Sequence, residues 1–522
     1  MESATEPAEA TRSSPAAEPA RAAAAAPLRL AVLAGRYFGA AHRAAGEDLA
    51  RLIAGRASVS AWFGAEHAAR LLADPPALRG ALDRDIAAID AMIAAQLDVI
   101  LHHARLRRLE GTWRGLSWLL DGIEPAARVK VKILNAGWAE ICRDLERAAE
   151  FDQSHLFRHV YESEFGSPGG EPYGLLVIDH EVRHRPGAGA PTDDVTALAS
   201  LAGIAAAAFA PTVLAASPAL LEVDSFADLA ITTDPAAPLR GPDHVRWRSL
   251  AAREDSRFLA IALPRVLARV PWADDPARAD GFRYAEFAPD AGTRVWMTAA
   301  YGFAEAVIRA FSTHGWPADV RGAEQDRLGG GVVSGLPAEP FRTDRDRSWV
   351  RPPLDLVLTD RQERSLVDGG LMPISALPFT EEAVFGAVRS LQAPQQYTGA
   401  NAAAATANAR ISSQLNSMLC VSRFAHYVKM LGRNMVGSYK TADEIEVELQ
   451  NWLNEYINVS SRAGGETRAR YPLIGGRVTI RERPGRPGVF GCVIHLQPQF
   501  QLDDVAATFR LVTDIVAPGS QR

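Results

Sequence analysis

The stretch from Phe151 to Asp179, FDQSHLFRHVYESEFGSPGGEPYGLLVID, constrains this chain more than any other. A helix-like segment runs into a Gly/Pro-rich turn, Gly166 to Gly174, and an apolar strand follows from Leu175 to Ile178. Phosphate-binding loops have the opposite order: they follow a strand and open a helix, so that backbone amides and the helix dipole face the anion. Here the turn precedes the strand, Gly-Lys-Ser/Thr is missing, and Glu171 sits where it would repel a phosphate. The turn therefore reads as structural, inside a fold that alternates helices and strands.

Composition narrows the class further. A chain of 522 residues holds two or three domains and a sizeable core. Its net charge of -6 gives none of the basic excess expected of a nucleic-acid binder. Cys142, Cys420 and Cys492 lie far apart and share no metal-ligand spacing, which fits a reducing compartment and no disulfide framework. No apolar run approaches the ~20 residues that span a bilayer. Glu2, Glu6 and Glu9 stand where a secretion signal carries Lys or Arg, so a cytoplasmic location is expected, with any membrane reached through partners.

Along the chain, residues 1–27 have almost nothing to bury and read as a disordered tail. Leu28 to Leu33 reads as a short strand. A helix is expected from about Asp83, with Ile86, Ile89, Ile93, Leu97, Ile100 and Leu101 on one stripe. Gly111 and Gly115, four apart, allow another element to approach closely. Val129 to Leu134, Phe258 to Leu263 and Asp355 to Leu358 read as strands; Ala139 to Ala149, Ala197 to Ala210, Val295 to His314 and Ala407 to Met430 as helices. Thr441 with Glu444 forms a capping box ahead of a helix with Ile445, Leu449, Trp452, Leu453 and Tyr456 on one face. Strands at Arg477 to Glu482 and Val489 to Leu496 flank a turn at Pro484 to Gly488, and a last alternating strand holds Val505, Ala507, Phe509 and Leu511.

The chemistry candidates are sparse. Asp179, His180, Glu181 and His184 form the densest polar cluster, but the two histidines meet only on a helix, and the segment reads as a loop after a strand. His102 and His103 near a helix end suit capping or packing. Cys420 and His426 fall on different helix faces. Arg253, Glu254, Asp255 and Arg257 read as a locally paired turn or a subunit-contact patch. No catalytic set, cofactor site or metal site is expected.

Seven separated motifs, taken in order, resemble the large sheath subunit of the type VI secretion system, the TssC/VipB family. They are AQLDVILHHARLRRLEGTWRGL (Ala95 to Leu116), the FDQS…GGEPYGLLVID block, WRSLAAREDSRFLAIALPR (Trp247 to Arg265), GWPADVRG (Gly315 to Gly322), LTDRQERSLVDGGLMPI (Leu358 to Ile374), NARISSQLNSMLCVSRFAHYVK (Asn408 to Lys429) and HLQPQFQLDDVAATFRLV (His495 to Val512). The segment before about Gly80 departs from the usual large-subunit start.

The resemblance implies a mixed α/β, contractile tail-sheath-like fold and a structural role without enzymatic activity. The implied partners are a small TssB/VipA-like sheath subunit, neighbouring protomers, an Hcp-like inner tube, baseplate proteins and a ClpV-like AAA+ ATPase, with no nucleic acid and no direct membrane insertion. It further implies a C-terminal domain whose strands pair with neighbouring subunits, and by position Val478, Ile480, Phe490, Cys492, Ile494 and Leu496 are the residues concerned. The expected divisions are a tail at 1–27, a divergent segment at 28–80, an N-terminal sheath domain at 81–376, a linker at 377–398, a C-terminal sheath domain at 399–516 and a tail at 517–522. Alternative readings are a sheath paralogue acting as cap, regulator or baseplate-proximal subunit, a phage-tail-like sheath protein, and, from another class, an enzyme.

Overall fold

The computed structural model describes residues 28–35, 58–167, 169–279, 281–323, 329–345, 348–398, 402–435, 441–460, 464–482, 489–499 and 509–516. The expected tails, the turn at Pro484 to Gly488, and Val505 and Ala507 lie outside them. Two compact units are present: residues 1–101 with 272–287, and residues 102–271 with 288–522.

The first unit is helical: α1 (Leu28–Leu33), α2 (Ser58–Phe63), α3 (Ala65–Leu72) and α4 (Pro75–Leu101). Leu28 to Leu33, expected as a strand, is helical: six apolar-rich residues carry no decisive period, and packing chooses. The long helix starts at Pro75, earlier than expected, because proline tolerates the first turn and the Asp74 carboxylate accepts a hydrogen bond from the Ala77 amide. Trp62, Phe63, Ala68, Leu71 and Ala81 form a small core. Asp85, almost fully buried, accepts two hydrogen bonds from Arg29 (2.7 and 2.9 Å) and one from Trp62 Nε1 (2.8 Å). The Arg29 hydrogen bond outweighs burial and holds the Asp85 carboxyl below its ordinary range.

The second unit is built on a parallel sheet, β1 (Leu176–Val182), β2 (Thr212–Ala216), β3 (Leu259–Leu263) and β4 (Met372–Pro373), hydrogen-bonded in that order. Both β2 and β3 are buried throughout, as parallel strands covered on both faces must be. One face carries a core that includes Val213, Ala260, Ala300 and Phe303; the other packs Leu214, Ile261, Leu198, Leu201 and Trp247. Among the described residues this unit's α-helices of six residues or more are α5 (Ala104–Asp121), α6 (Trp138–Arg147), α7 (Asp194–Ala208), α8 (Val245–Ala251), α9 (Ala299–His314), α10 (Asp360–Asp368), α11 (Ala402–Ser412), α12 (Leu415–Met435), α13 (Ala442–Asn454) and α14 (Gly465–Arg470), and a π-helix spans Arg158–Gly166.

Several expectations are corrected here. Val129 to Leu134 and Asp355 to Leu358 form no strand. Strand β1 runs on through Asp179, His180 and Glu181, which were expected in a loop, with a register irregularity between Val177 and Glu181. The single helix expected from Ala407 to Met430 is two, α11 and α12. The Ser413 hydroxyl donates to the Arg410 carbonyl, and the Ser413 carbonyl leaves the helix ladder to accept from the amide and hydroxyl of Ser390 (2.9 and 2.7 Å).

The close approach expected at Gly111 and Gly115 is present. A Cβ on Gly111 would lie 2.1 Å from the Trp296 carbonyl oxygen, and one on Gly115 would lie 2.6 Å from the Tyr301 ring. Gly111→Ala is therefore expected to force α5 off its neighbour at a cost of roughly 1–3 kcal/mol. The denaturation midpoint reads this directly; an unchanged midpoint would refute the packing argument.

The C-terminal part adds an antiparallel sheet, β5 (Leu473–Glu482), β6 (Val489–Pro498) and β7 (Phe509–Val516), with β6 in the centre. The Thr441/Glu444 capping box is formed, and Ile445, Leu449 and Leu453 of α13 are buried against the sheet. Trp316, from the GWPADVRG motif, stacks on Phe424 at 4.3 Å and meets Tyr456 edge-on at 4.9 Å, which joins the two parts of this unit.

Candidate assembly surfaces and polar clusters

The C-terminal sheet was expected to supply inter-subunit strands. The side chains of Val478, Ile480, Cys492, Ile494 and Leu496 point into the protein's own core with α12 and α13. Phe490 pairs through its backbone with Glu482 on one side and Ile515 on the other. Alternation explains the arrangement, since every second residue of a strand faces the helices. Any pairing beyond the chain falls to the sheet margins. At β5 the outward amides of Val478 and Ile480 donate to Gln450 Oε1 (2.9 Å) and Glu446 Oε2 (2.7 Å), so α13 side chains cap that margin. The other margin is the backbone of β7.

A second surface is the stripe of α4. Ile86, Ile93 and Ile100 are 55%, 44% and 49% exposed, and Leu82, Met92 and Val99 are exposed as well. The periodicity marked an apolar face, and among the described residues it is only partly covered: Ile89, Leu97 and Leu101 are half-buried, Ile89 against the small core. Exposed apolar side chains repeated along one helix face make a candidate interaction surface.

The polar cluster after the glycine turn is dispersed. Asp179 accepts a hydrogen bond from the Thr112 hydroxyl, and burial pushes its carboxyl up. His180 Nε2 meets Asp194 Oδ2 at 3.1 Å, and the imidazole stacks on Trp138 at 4.5 Å. Asp194 also accepts from Trp138 Nε1 and the Arg183 amide; burial raises its pKa, but the bonds from His180 and Trp138 prevail and keep it low. Glu181 forms a two-point ion pair with Arg265 (2.5 and 2.8 Å), and Asp355 lies 3.7 Å from the same guanidinium.

His184 does not meet His180. It stacks on His244 at 4.0 Å between ring centroids, and one ligand atom from each of His184, Glu222 and His244 lies within 4.8 Å of the other two. Burial above all pushes the His184 pKa down; His244 and Arg185 add to this, while Glu222 and the Ala219 backbone oppose it. No sequence spacing announces this set, because Glu222 and His244 lie 38 and 60 residues beyond His184.

The remaining candidates are structural. His103 is the N-cap of α5 and makes no side-chain cap bond. Cys420 is buried and its thiol is pushed up to about 12 by desolvation; His426 bonds through Nε2 to the Ala208 carbonyl, and burial takes its pKa down to about 4. Arg253 and Arg257 pair locally with Asp255 and Glu254, both at 3.9 Å and with only Arg257 half-buried, an arrangement worth little. In the glycine turn, the carbonyls of Ser167 and Phe165 accept from Arg433 of α12 (2.7 and 3.1 Å). A turn that aims carbonyls at a guanidinium is built for packing, and its Glu171 is held by Lys130.

Residues 83–392 match the EvpB/VC_A0108 tail sheath N-terminal domain, and residues 404–515 match the tail sheath gpW/gp25-like domain of the same group. The type VI secretion system sheath protein TssC1 of Pseudomonas aeruginosa is 35% identical to this chain over 435 residues, 82% of this chain and 85% of that protein.

Proposed function

We infer the function of this chain from the family to which it belongs, the EvpB/VC_A0108 (VipB) tail sheath proteins: it is a structural subunit of a type VI secretion sheath. The succession of both sheath domains over nearly the whole span from 83 to 515 carries this reading. Such a subunit works by assembly with a small sheath subunit and with further sheath protomers. Among the described residues no single helix is long and apolar enough to cross a membrane.

The finer picture rests on the two surfaces. The exposed stripe of α4 takes a partner's apolar face. The margin of β7 links protomers through backbone ladders, which resist pulling while the domains they join rotate. In that lattice the sheath surrounds an inner tube and contracts to drive it, a AAA+ ATPase supplies the nucleotide chemistry of recycling, and baseplate proteins connect the assembly to the envelope. The edge and stripe geometry supports the two contact surfaces; the tube, the ATPase and the baseplate rest on the resemblance alone.

Co-expression with the small sheath subunit, followed by negative-stain electron microscopy, tests the reading. Long tubules are the expected result. A soluble complex without tubules would replace the main-sheath role with that of a cap or baseplate-proximal paralogue. Failure to form any complex would overturn the assembly reading.

A further inference from the structure

His184, Glu222 and His244 come from three separate turns. His184 follows β1; Glu222 closes the short 3-10 helix Pro218–Leu221 after β2; His244 ends the 3-10 helix Pro242–His244 ahead of α8. The first two lie beyond the carboxyl ends of adjacent parallel strands, where open α/β sheets hold their ligands.

His244 is fully buried, and its Nε2 lies 2.8 Å from the Leu220 carbonyl oxygen. A carbonyl only accepts, so Nε2 carries the proton and donates it there. Nδ1 of a neutral His244 then presents a lone pair toward Glu222 Oε1, 3.6 Å away. Nδ1 of His244 and both nitrogens of His184, a residue 5% exposed, make no hydrogen bond of ordinary geometry; the only backbone group acting on the His184 ring is that of Ala219, through a contact too poor to count as one. Three orphaned buried ring nitrogens around one carboxylate call for an explanation. An imidazolium at His244 facing Glu222 answers one of them and leaves His184 with none. A cation between the three groups takes one nitrogen from each histidine and so answers two of the three.

We propose that His184, Glu222 and His244 form a binding site for a divalent transition-metal ion, zinc by its donor set. Two imidazole nitrogens and one carboxylate oxygen make a borderline N/O set. Copper(I) favours sulfur and magnesium or calcium favour oxygen, whereas zinc takes this combination with a fourth position left for water. The Glu222 side chain, 40% exposed, provides the opening to solvent. The Leu220 carbonyl serves as the outer partner that orients a metal-bound imidazole. Arg185, one of the two arginines that flank His184 in sequence, is paired with Asp243 at 3.4 Å, which tempers its repulsion of the ion. The bound ion ties together the turns after β1 and β2 and before α8, clamping one end of the sheet.

The test uses the full-length chain purified with its small sheath subunit, stripped with chelator and titrated with Zn²⁺ alone by calorimetry. Co²⁺ then reports coordination through its visible absorption. The wild type is expected to take one additional equivalent of zinc relative to Glu222→Gln, to show tetrahedral-type cobalt bands, and to melt at higher temperature with zinc than without. Glu222→Gln, on a partly exposed side chain, keeps the fold and removes one donor. It is expected to weaken binding by more than the about 10–100-fold typical of losing an outer-shell partner. His184→Gln is expected to behave alike, with circular dichroism confirming the fold. Zinc binding that is absent, or equal in the wild type and Glu222→Gln, would overturn the site.

Discussion

Deleting Val489 to Arg522 is expected to leave a chain that keeps its parallel sheet, loosens its C-terminal core and forms no tubules. The cut removes β6 and β7, and with them the partners of β5 from Leu473 to Glu482. It also withdraws Cys492, Ile494 and Leu496 from the core they share with Phe424, Ile445 and Leu449. The two aliphatic side chains alone are worth about 1.5–3 kcal/mol each when fully buried. The β5 backbone would face water with a row of unpaired groups, which favours unspecific association over an ordered lattice. Limited proteolysis should then cut within α12 to α14 while the segment from β1 to β3 survives. Normal tubules from the truncated chain would refute the assignment of protomer linkage to this sheet.

The second large effect concerns Asp355. Its carboxylate is 1% exposed, neither oxygen has a hydrogen bond, and Arg265 stands 3.7 Å away with Glu181 already holding it. Burial pushes its pKa up to about 7; Arg265 opposes the rise and Glu181 adds to it. An unfolded Asp titrates near 4, so between about pH 4 and pH 7 the native state holds the proton that the unfolded state has lost. Stability from this group is therefore fully present below about pH 4, falls as the pH rises, and is gone above about pH 7. The gap corresponds to roughly 4 kcal/mol as an upper figure. Asp355→Asn carries no such titration. It should flatten the fall between about pH 4 and pH 7 and denature later than the wild type at pH 8. Parallel stability profiles for the two proteins would contradict the account.

The elements that local chemistry specifies were legible in the sequence. The capping box at Thr441 opens α13 because one hydroxyl and one carboxylate three residues apart satisfy two orphan amides wherever the helix sits. The buried run of β3 and the glycine approach at Gly111 also needed only residue type and spacing. Leu28 to Leu33 and Val129 to Leu134 were misread because short apolar runs suit helix, strand or coil until neighbours decide. The Ser413 break was hidden because its acceptor's partner, Ser390, lies 23 residues away.

Family, and with it the sheath role, follows from the ordered motifs alone, since residue identity in sequence order is what a resemblance reads. Which faces are covered does not. The stripe of α4 is equally periodic whether buried or exposed, and the alternation of β6 does not say that Cys492, Ile494 and Leu496 turn inward onto α12 and α13. The convergence of His184, Glu222 and His244 is likewise a product of tertiary structure: the strands β1 and β2 and the turn before α8 carry residues distant in the chain to one end of one sheet. Sequence reports what each residue can do; only the folded chain places it against the groups with which it does so.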